Sequence, residues 1–133
     1  MRQIVFALRF RGDARRNGID GNVLSIATAG PGCTIRSRVV DGGLVAALHQ
    51  DRRGKATCEA DLVLTGETMF QQAGTIAFGT AGHRIRFSTV GSGHLVPAPE
   101  ADRRHGAAIW RIDGGEGQFA GASGLITSIV VVE

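Results

Sequence analysis

Apolar residues alternate with polar ones over short segments along most of this chain, and turn signals containing glycine separate the segments. Near the start, Ile4, Phe6, Leu8 and Phe10 are spaced two residues apart. A repeat of two places alternate side chains on opposite faces of an extended strand, of which one face is buried. No segment shows the 3.6-residue repeat of an amphipathic helix, so at most one short helix is expected. The pattern predicts an all-β protein.

The alternation divides the chain into eight or nine predicted strands. Most connections between them are short, which favours antiparallel pairing of neighbours. The predicted strands cover residues 3–10, 22–29, 33–40, 44–49, 55–65, 68–78, 83–90, 107–113 and 125–132. Between them, the sequence predicts a polar loop over 11–21, turns at 30–32, 41–43 and 51–54, and a long irregular segment over 91–106.

The length of 133 residues corresponds to one domain covering residues 1–133. A chain of this size buries enough surface to fold without metals or disulfides. Antiparallel strands in sequence order then close into a barrel or stack as a sandwich. Closure removes the free edge that the hydrophobic last strand, Leu125–Val132, would otherwise expose. We therefore predict a single antiparallel β-barrel of about eight strands.

The charge balance is basic, with 15 Lys and Arg against 12 Asp and Glu. A basic balance permits a nucleic-acid partner, but the pairs Arg15–Arg16, Arg52–Arg53 and Arg103–Arg104 are far apart in sequence. Tyrosine is absent and aromatic residues make up only 5%, so a platform for stacking bases is poorly supplied. No nucleic-acid partner is predicted. Alternating charges such as Arg84 and Arg86 are expected on the exterior in cross-strand ion pairs.

Two cysteines, Cys33 and Cys58, share the inward parity of their strands. We expect both thiols to be buried and reduced. No stretch approaches the 18 apolar residues of a membrane span, and the apolar run at the N-terminus is too short for a signal peptide. A cytoplasmic protein without a membrane partner is therefore expected.

Two residues are candidates for acid–base catalysis, Glu67 and His83. Glu67 lies between two predicted strands, where burial at a barrel mouth would raise the pKa of its carboxyl group. His83 shares the parity of Ile85 and Phe87 and so would point inward. The alternative for Glu67 is a solvated turn residue, and the alternative for His83 is a hydrogen-bonded histidine in the core or at its rim. No two histidines have ligand spacing and neither cysteine is near another, so no metal site and no cofactor are predicted.

The candidate ligand-binding residues are His94, Leu95 and Trp110. The first two lie in the predicted irregular segment, which is longer than the usual connection of about 4–6 residues. Such a segment is typical of a lid, with Leu95 or Val96 packed over the mouth of a cavity. The alternative is a solvent-exposed loop that covers no cavity.

The stretch Gly114-Gly115-Glu116-Gly117-Gln118-Phe119-Ala120-Gly121-Ala122-Ser123-Gly124 is the sharpest local feature. Its Phe119 is expected to be buried, because it is the only large group near a glycine-rich bend. The stretch resembles the glycine-rich turn between late strands in allene oxide cyclase, dirigent and related bacterial barrel families. The resemblance covers about twenty residues and implies an antiparallel barrel with an internal pocket. Some members of those families cyclise or steer reactive small molecules. The resemblance assigns no catalytic residue in this chain.

Barrel interiors are natural ligand cavities, so the expected function is binding of a small, largely apolar molecule. One alternative is an isomerase or cyclase acting in the same cavity, and another is a structural or interaction protein with a filled core. Cavity volume separates the last of these from the first two. An inward carboxylate or histidine with a perturbed pKa would separate the enzyme from the binder. A homo-oligomer is compatible with each of the three.

Overall fold

A computed structural model of the chain describes residues 6–17, 21–100 and 102–133, with the backbone alone over 34–37 and 44–54. The strands are β1 (Ala7–Leu8), β2 (Arg11–Asn17), β3 (Val23–Val40), β4 (Gly43–Leu64), β5 (Met69–Phe78), β6 (His83–Thr89), β7 (Gly93–Pro97), β8 (Arg104–Glu116) and β9 (Leu125–Val132). A single turn of 3-10 helix covers Gly117–Phe119. The all-β prediction is confirmed. The predicted first strand lies partly outside the described residues, which begin at Phe6.

All strand pairings are antiparallel, and they form one sheet that follows the chain order. β1 and β2 lie end to end along β3, and β3, β4 and β5 follow in turn. β6 and β7 both lie between β5 and β8, and β9 pairs with the far side of β8. Over the described ranges, pairing ends at β1 and β2 on one margin and at β9 on the other. The antiparallel part of the fold prediction is thus confirmed.

The β3–β4 hairpin is the longest unit of the sheet, with strands of 18 and 22 residues. Its turn contains Asp41 and Gly42, with φ angles of 50° and 76°. Two consecutive positive φ angles match the twist of a two-residue hairpin turn, and the Asp-Gly sequence favours them. Val40 pairs with Gly43 directly beside the turn. The turn predicted at 41–43 is therefore confirmed.

Two predicted turns are wrong, and so is the predicted loop over its residues 11–17, because the chain stays extended there; residues 18–20 of that loop lie outside the described residues. Residues 11–17 form β2, which pairs with β3 from Arg11 opposite Ala29 to Asn17 opposite Val23. Residues 30–32 and 51–54 continue β3 and β4. Pro31 is accommodated because the register of the β3–β4 pairing shifts between Pro31 and Cys33. A proline without an N–H is tolerated at such an irregularity.

The predicted irregular segment 91–106 is also wrong in large part. Residues 93–97 form β7, and β8 already begins at Arg104. Leu95 pairs with Gly106 across β7 and β8, so both residues belong to the sheet. The segment is therefore not a lid.

One hydrophobic core lies on the inner side of the sheet. Its largest fully buried side chains are Phe70, Phe87, Leu62, Ile76 and Ile85. Partly buried residues from strands near both margins, including Leu8, Leu24, Ile126 and Val130, pack against the same core. The described residues contain no α-helix, and the residues near both margins contact one core. No helix in the described part of the chain has the length and hydropathy to cross a bilayer.

Candidate functional site

Two aromatic rings meet at the centre of the inner side. Phe87 on β6 and Trp110 on β8 stack with centroids 3.9 Å apart and an interplanar angle of 15°. They are 2% and 6% exposed. Phe87 pairs with Ile112 and Thr89 with Trp110 across the two strands, so the rings are diagonal neighbours on one face. We call Phe87 and Trp110 the aromatic pair.

Two glycines let neighbouring strands approach this part of the core. A Cβ atom at Gly93 would overlap the ring of Phe70, which packs directly on the β7 backbone. A Cβ at Gly106 would lie 2.7 Å from Val130 and 2.8 Å from Leu95. Both distances are too short for carbon atoms. The glycines in the supposed irregular segment therefore serve close packing inside a sheet.

The indole Nε1 of Trp110 is buried and has no hydrogen-bond partner in the described part of the protein. Buried tryptophan N–H groups usually find a partner. Leaving such a donor unpaired costs about 1–3 kcal/mol. Sequence reasoning named Trp110 as a ligand-binding candidate but could not show that its N–H lacks an acceptor.

The core offers little to acid–base or nucleophilic chemistry. Over the ranges whose burial is described, no polar or charged side chain is buried. Cys58 is 3% exposed, and burial raises the pKa of its thiol from 9.0 to about 11. A hydrogen bond with Thr28 lowers this pKa by less than burial raises it, and Glu59 raises it further. The thiol is therefore neutral near pH 7 and a poor nucleophile.

The two catalytic candidates lie at opposite ends of β5. Glu67 is exposed in the connection before β5, and its carbonyl oxygen accepts a hydrogen bond from the Arg104 side chain. His83 pairs with Phe78 at the other end of the strand. Ten residues of extended chain separate these ends by about 30 Å. Glu67 and His83 therefore cannot act in one site.

His83 is half-buried and holds the glycine-rich turn in place. Its Nδ1 accepts a hydrogen bond of 3.0 Å from the backbone N–H of Gln118. An accepting Nδ1 carries no proton, so the ring hydrogen lies on Nε2 in this arrangement. The contact gives His83 a structural partner.

The three ligand-binding candidates fall on two sides of the sheet. Leu95 and Trp110 belong to the same buried core cluster. His94 is exposed, because it precedes Leu95 on β7 and neighbouring residues of a strand face opposite ways. Val96 is exposed for the same reason, at 53%.

A depression of about 530 Å³ lies on the outer side of the sheet, over β2 to β5. Its lining residues are small or charged, with the exception of Ile26: Asp13, Arg15, Ser25, Ile26, Ala27, Glu59, Ala60, Asp61, Ala73 and Gly74. Ser25 donates a hydrogen bond of 3.0 Å to Asp61. Among the described residues, no group of three or more His, Cys, Asp or Glu is arranged to hold a metal ion. We call this surface the β2–β5 face.

Two further expectations concern Phe119 and the cysteines. Phe119 is buried, and its ring lies 4.9 Å from that of Phe78, so that prediction is confirmed. Both cysteines are free thiols, as expected. Cys58 is buried, whereas Cys33 is only partly buried. The prediction of burial is therefore wrong for Cys33, which lies where the β3–β4 register shifts.

In comparisons with protein-family models, with curated proteins and with solved structures, nothing matches this chain. The resemblance of residues 114–124 to the allene oxide cyclase and dirigent-like barrels stays a prediction.

Proposed function

We propose that the sheet closes into a barrel and that its interior binds a small, largely apolar molecule carrying one hydrogen-bond acceptor. The observation that carries the proposal is the unpartnered N–H of Trp110 in an apolar core. A carbonyl or ether oxygen beside Nε1 would remove the cost of the unpaired donor. An apolar remainder would suit the surrounding side chains.

Packing near the margins supports the barrel. Leu8 at one margin and Ile126 and Val130 at the other pack on one core. A pairing that joins the two margins would satisfy backbone groups on both edges. The resemblance of the Gly114–Gly124 stretch to known barrel families points the same way.

The core chemistry favours a binder over an isomerase or cyclase. Isomerisation requires a group that gives or takes a proton beside the bound molecule. The described core supplies Cys58, whose thiol is held neutral by burial, and neither Glu67 nor His83 reaches the aromatic pair. The described core therefore offers no residue that could serve as the acid or base of an isomerase or cyclase.

A filled-core interaction protein is the second candidate, and a specific observation favours it. The inner side is occupied by large side chains, including Phe70, Phe87 and Leu62. The depression over β2 to β5 lies on the outer side instead. A ligand entering the interior would have to displace such side chains.

The test uses two probes of nearly equal shape, cyclohexanone and methylenecyclohexane, of which only the ketone accepts a hydrogen bond. Trp110 is the only tryptophan, so its indole N–H gives one identifiable NMR signal. We expect the ketone to shift that signal and to bind about five-fold more tightly than the hydrocarbon, as one net hydrogen bond of about 1 kcal/mol implies.

The matched variant is Trp110→Phe, which keeps an aromatic ring against Phe87 but lacks the N–H donor. We expect it to bind both probes with equal affinity. If neither probe moves the indole signal of the unmodified protein, the interior is closed to ligands. The filled-core interaction protein is then the function to pursue.

A further inference from the structure

We infer that the outer side of β7, β8 and β9 is the contact surface of a homodimer, in which it packs against the same surface of a second copy. Six aliphatic side chains form this surface, which we call the β7–β9 face; five lie on these strands, and Val90 follows β6 with its N–H bonded to the Ile109 carbonyl. They are Val90, Val96, Ile109, Leu125, Ile129 and Val131. Their exposed fractions run from 47% for Val90 to 80% for Ile129.

The register of the strands places these residues in neighbouring rows on one side of the sheet. Val96 lies opposite His105 on β8, and His105 lies opposite Val131 on β9. In the next rows Ile129 lies opposite Ala107, and Thr127 lies opposite Ile109. Alternate residues on each strand share a side, so the aliphatic groups stand on the outer side, with His105 between Val96 and Val131 and with Arg111 opposite Leu125.

The size of the patch fits a small dimer interface. With on the order of 100 Å² exposed by each side chain, the face amounts to roughly 600 Å², the upper end for the largest apolar patch of a monomer. Two copies packed face to face would bury about 1,200 Å², which is the lower end for specific complexes. Packing of one sheet on another requires just such an apolar layer on each side.

The charges around the face select a second copy over a charged partner. Arg103 pairs with Glu133 at 2.9 Å, and Arg111 pairs with Asp113 at 2.9 Å. His105 lies 4.0 Å from Glu100. These three basic groups each have a carboxylate beside them, Arg104 at the start of β8 bonds the carbonyl oxygen of Glu67 instead, and β9 carries no charge from Leu125 to Val132.

A rim whose charges are mostly paired repels an identical rim only weakly, and it gives little attraction to an anionic surface or a strongly acidic protein. A two-fold arrangement brings the same patch from both copies together and leaves none of this patch free for further association. The dimer is therefore closed.

The experiment measures the mass of the full chain by sedimentation between about 1 and 200 µM, where mass action should reveal the association. We expect twice the chain mass of 13.9 kDa at the upper concentrations. Ile129→Lys should weaken the dimer at least about ten-fold, because the charge would be buried in the contact. The near-ultraviolet spectrum of Trp110 reports whether the variant stays folded.

The matched control is Val39→Lys, which places the same charge on an aliphatic residue that is 74% exposed near the β3–β4 turn. We expect it to dimerise like the unmodified chain. Raising NaCl from about 0.05 to 0.5 M should change the dissociation constant less than about three-fold, because the contact is apolar. A monomer at all concentrations, open-ended association, or equal weakening by both variants would overturn the inference. So would dissociation by salt.

Discussion

The inner and outer sides of this sheet are formed by the same strands, but folding constrains the residue types on the inner side far more than those on the outer side. On the inner side of β4, alternate residues Ala56, Cys58, Ala60 and Leu62 are buried and apolar. On the outer side of the same strand the alternate residues include Glu59 and Asp61. The inner side must exclude water for the chain to fold, whereas the outer side is free to vary with what it contacts.

The outer side itself has two parts of opposite character. The β2–β5 face is charged and lined by small residues, and it forms the depression of about 530 Å³. The β7–β9 face is aliphatic, with Ile129 80% exposed. Because folding requires neither arrangement, the difference fits the proposal that the second face packs against a second copy. Water suits the first face, and an apolar surface suits the second.

The largest effect is expected on the inner side, at Phe119. Phe119→Ala removes a buried ring that packs on Phe78, so the free energy of unfolding should fall by about 3–5 kcal/mol. Chemical denaturation measures it. Phe119→Leu keeps most of the volume and should cost about 1–2 kcal/mol. A loss below about 1 kcal/mol for the alanine variant would mean that the inner side is not packed there.

The next effect concerns the buried thiol of Cys58. Its pKa in the folded protein is raised to about 11. The unfolded chain therefore loses this proton first as the pH rises, and folding stability should fall between about pH 9 and 11. Denaturation at a series of pH values tests this, with Cys58→Ala as the variant in which this loss disappears.

Alkylation gives a second measure of the same thiol. In Cys33→Ser, Cys58 should react at pH 8 about 100-fold more slowly in the folded state than in denaturant, since the raised pKa leaves about 100-fold less thiolate. Equal rates in both states would show that the inner side is open to solvent at β4.

A smaller effect is expected from single changes on the outer side. Asp61→Ala removes an exposed hydrogen bond with Ser25, and Ile129→Thr removes exposed aliphatic surface. At concentrations where the chain is monomeric, each should change the free energy of unfolding by less than about 0.5 kcal/mol. A loss of 2 kcal/mol or more at either position would mean that the outer side also contributes to the core.

The smallest effect concerns Asp113, an exposed carboxylate beside the β7–β9 face. Hydrogen bonds from Ser88 and then Arg111 hold the pKa of this carboxyl group below its ordinary 3.8. Its contribution to stability is present above the ordinary pKa and is lost as the pH falls through the lowered value. Carbon-detected NMR titration should show this lowered pKa, and Ser88→Ala should move it back towards 3.8. A titration that Ser88→Ala leaves unchanged would contradict the assignment of Ser88 as the main cause.

Strands whose alternation reflects burial were predictable from the sequence. Residues 83–90 and 125–132 alternate between core and surface, and they match β6 and β9 within a residue or two. β2 was not predictable, because all seven of its residues are exposed. Its extended shape comes from pairing with β3, which the local sequence does not encode.

The predicted irregular segment over 91–106 was wrong because the glycines in it serve packing. Gly93 and Gly106 suggested a loop, but they allow Phe70 and Leu95 to fill the core against the β7 and β8 backbones. For the candidate site, Leu95 and Trp110 were predicted and lie in one cluster. The missing partner of the Trp110 N–H depends on what the rest of the fold brings near it. No local pattern can reveal that.

The order of the strands also has a consequence for how the chain folds. Every pairing joins strands that are neighbours in sequence or separated by one strand. The pairs beside a tight turn close a short loop, whereas pairs such as Val23 with Val63 join residues far apart in sequence and cost more chain entropy. Folding of such all-β proteins is slow compared with that of helical proteins, and pairing is expected to spread from the tight turns. The hairpin closed at Asp41 and Gly42 is suited to form first, and β9 can join only when β8 is in place.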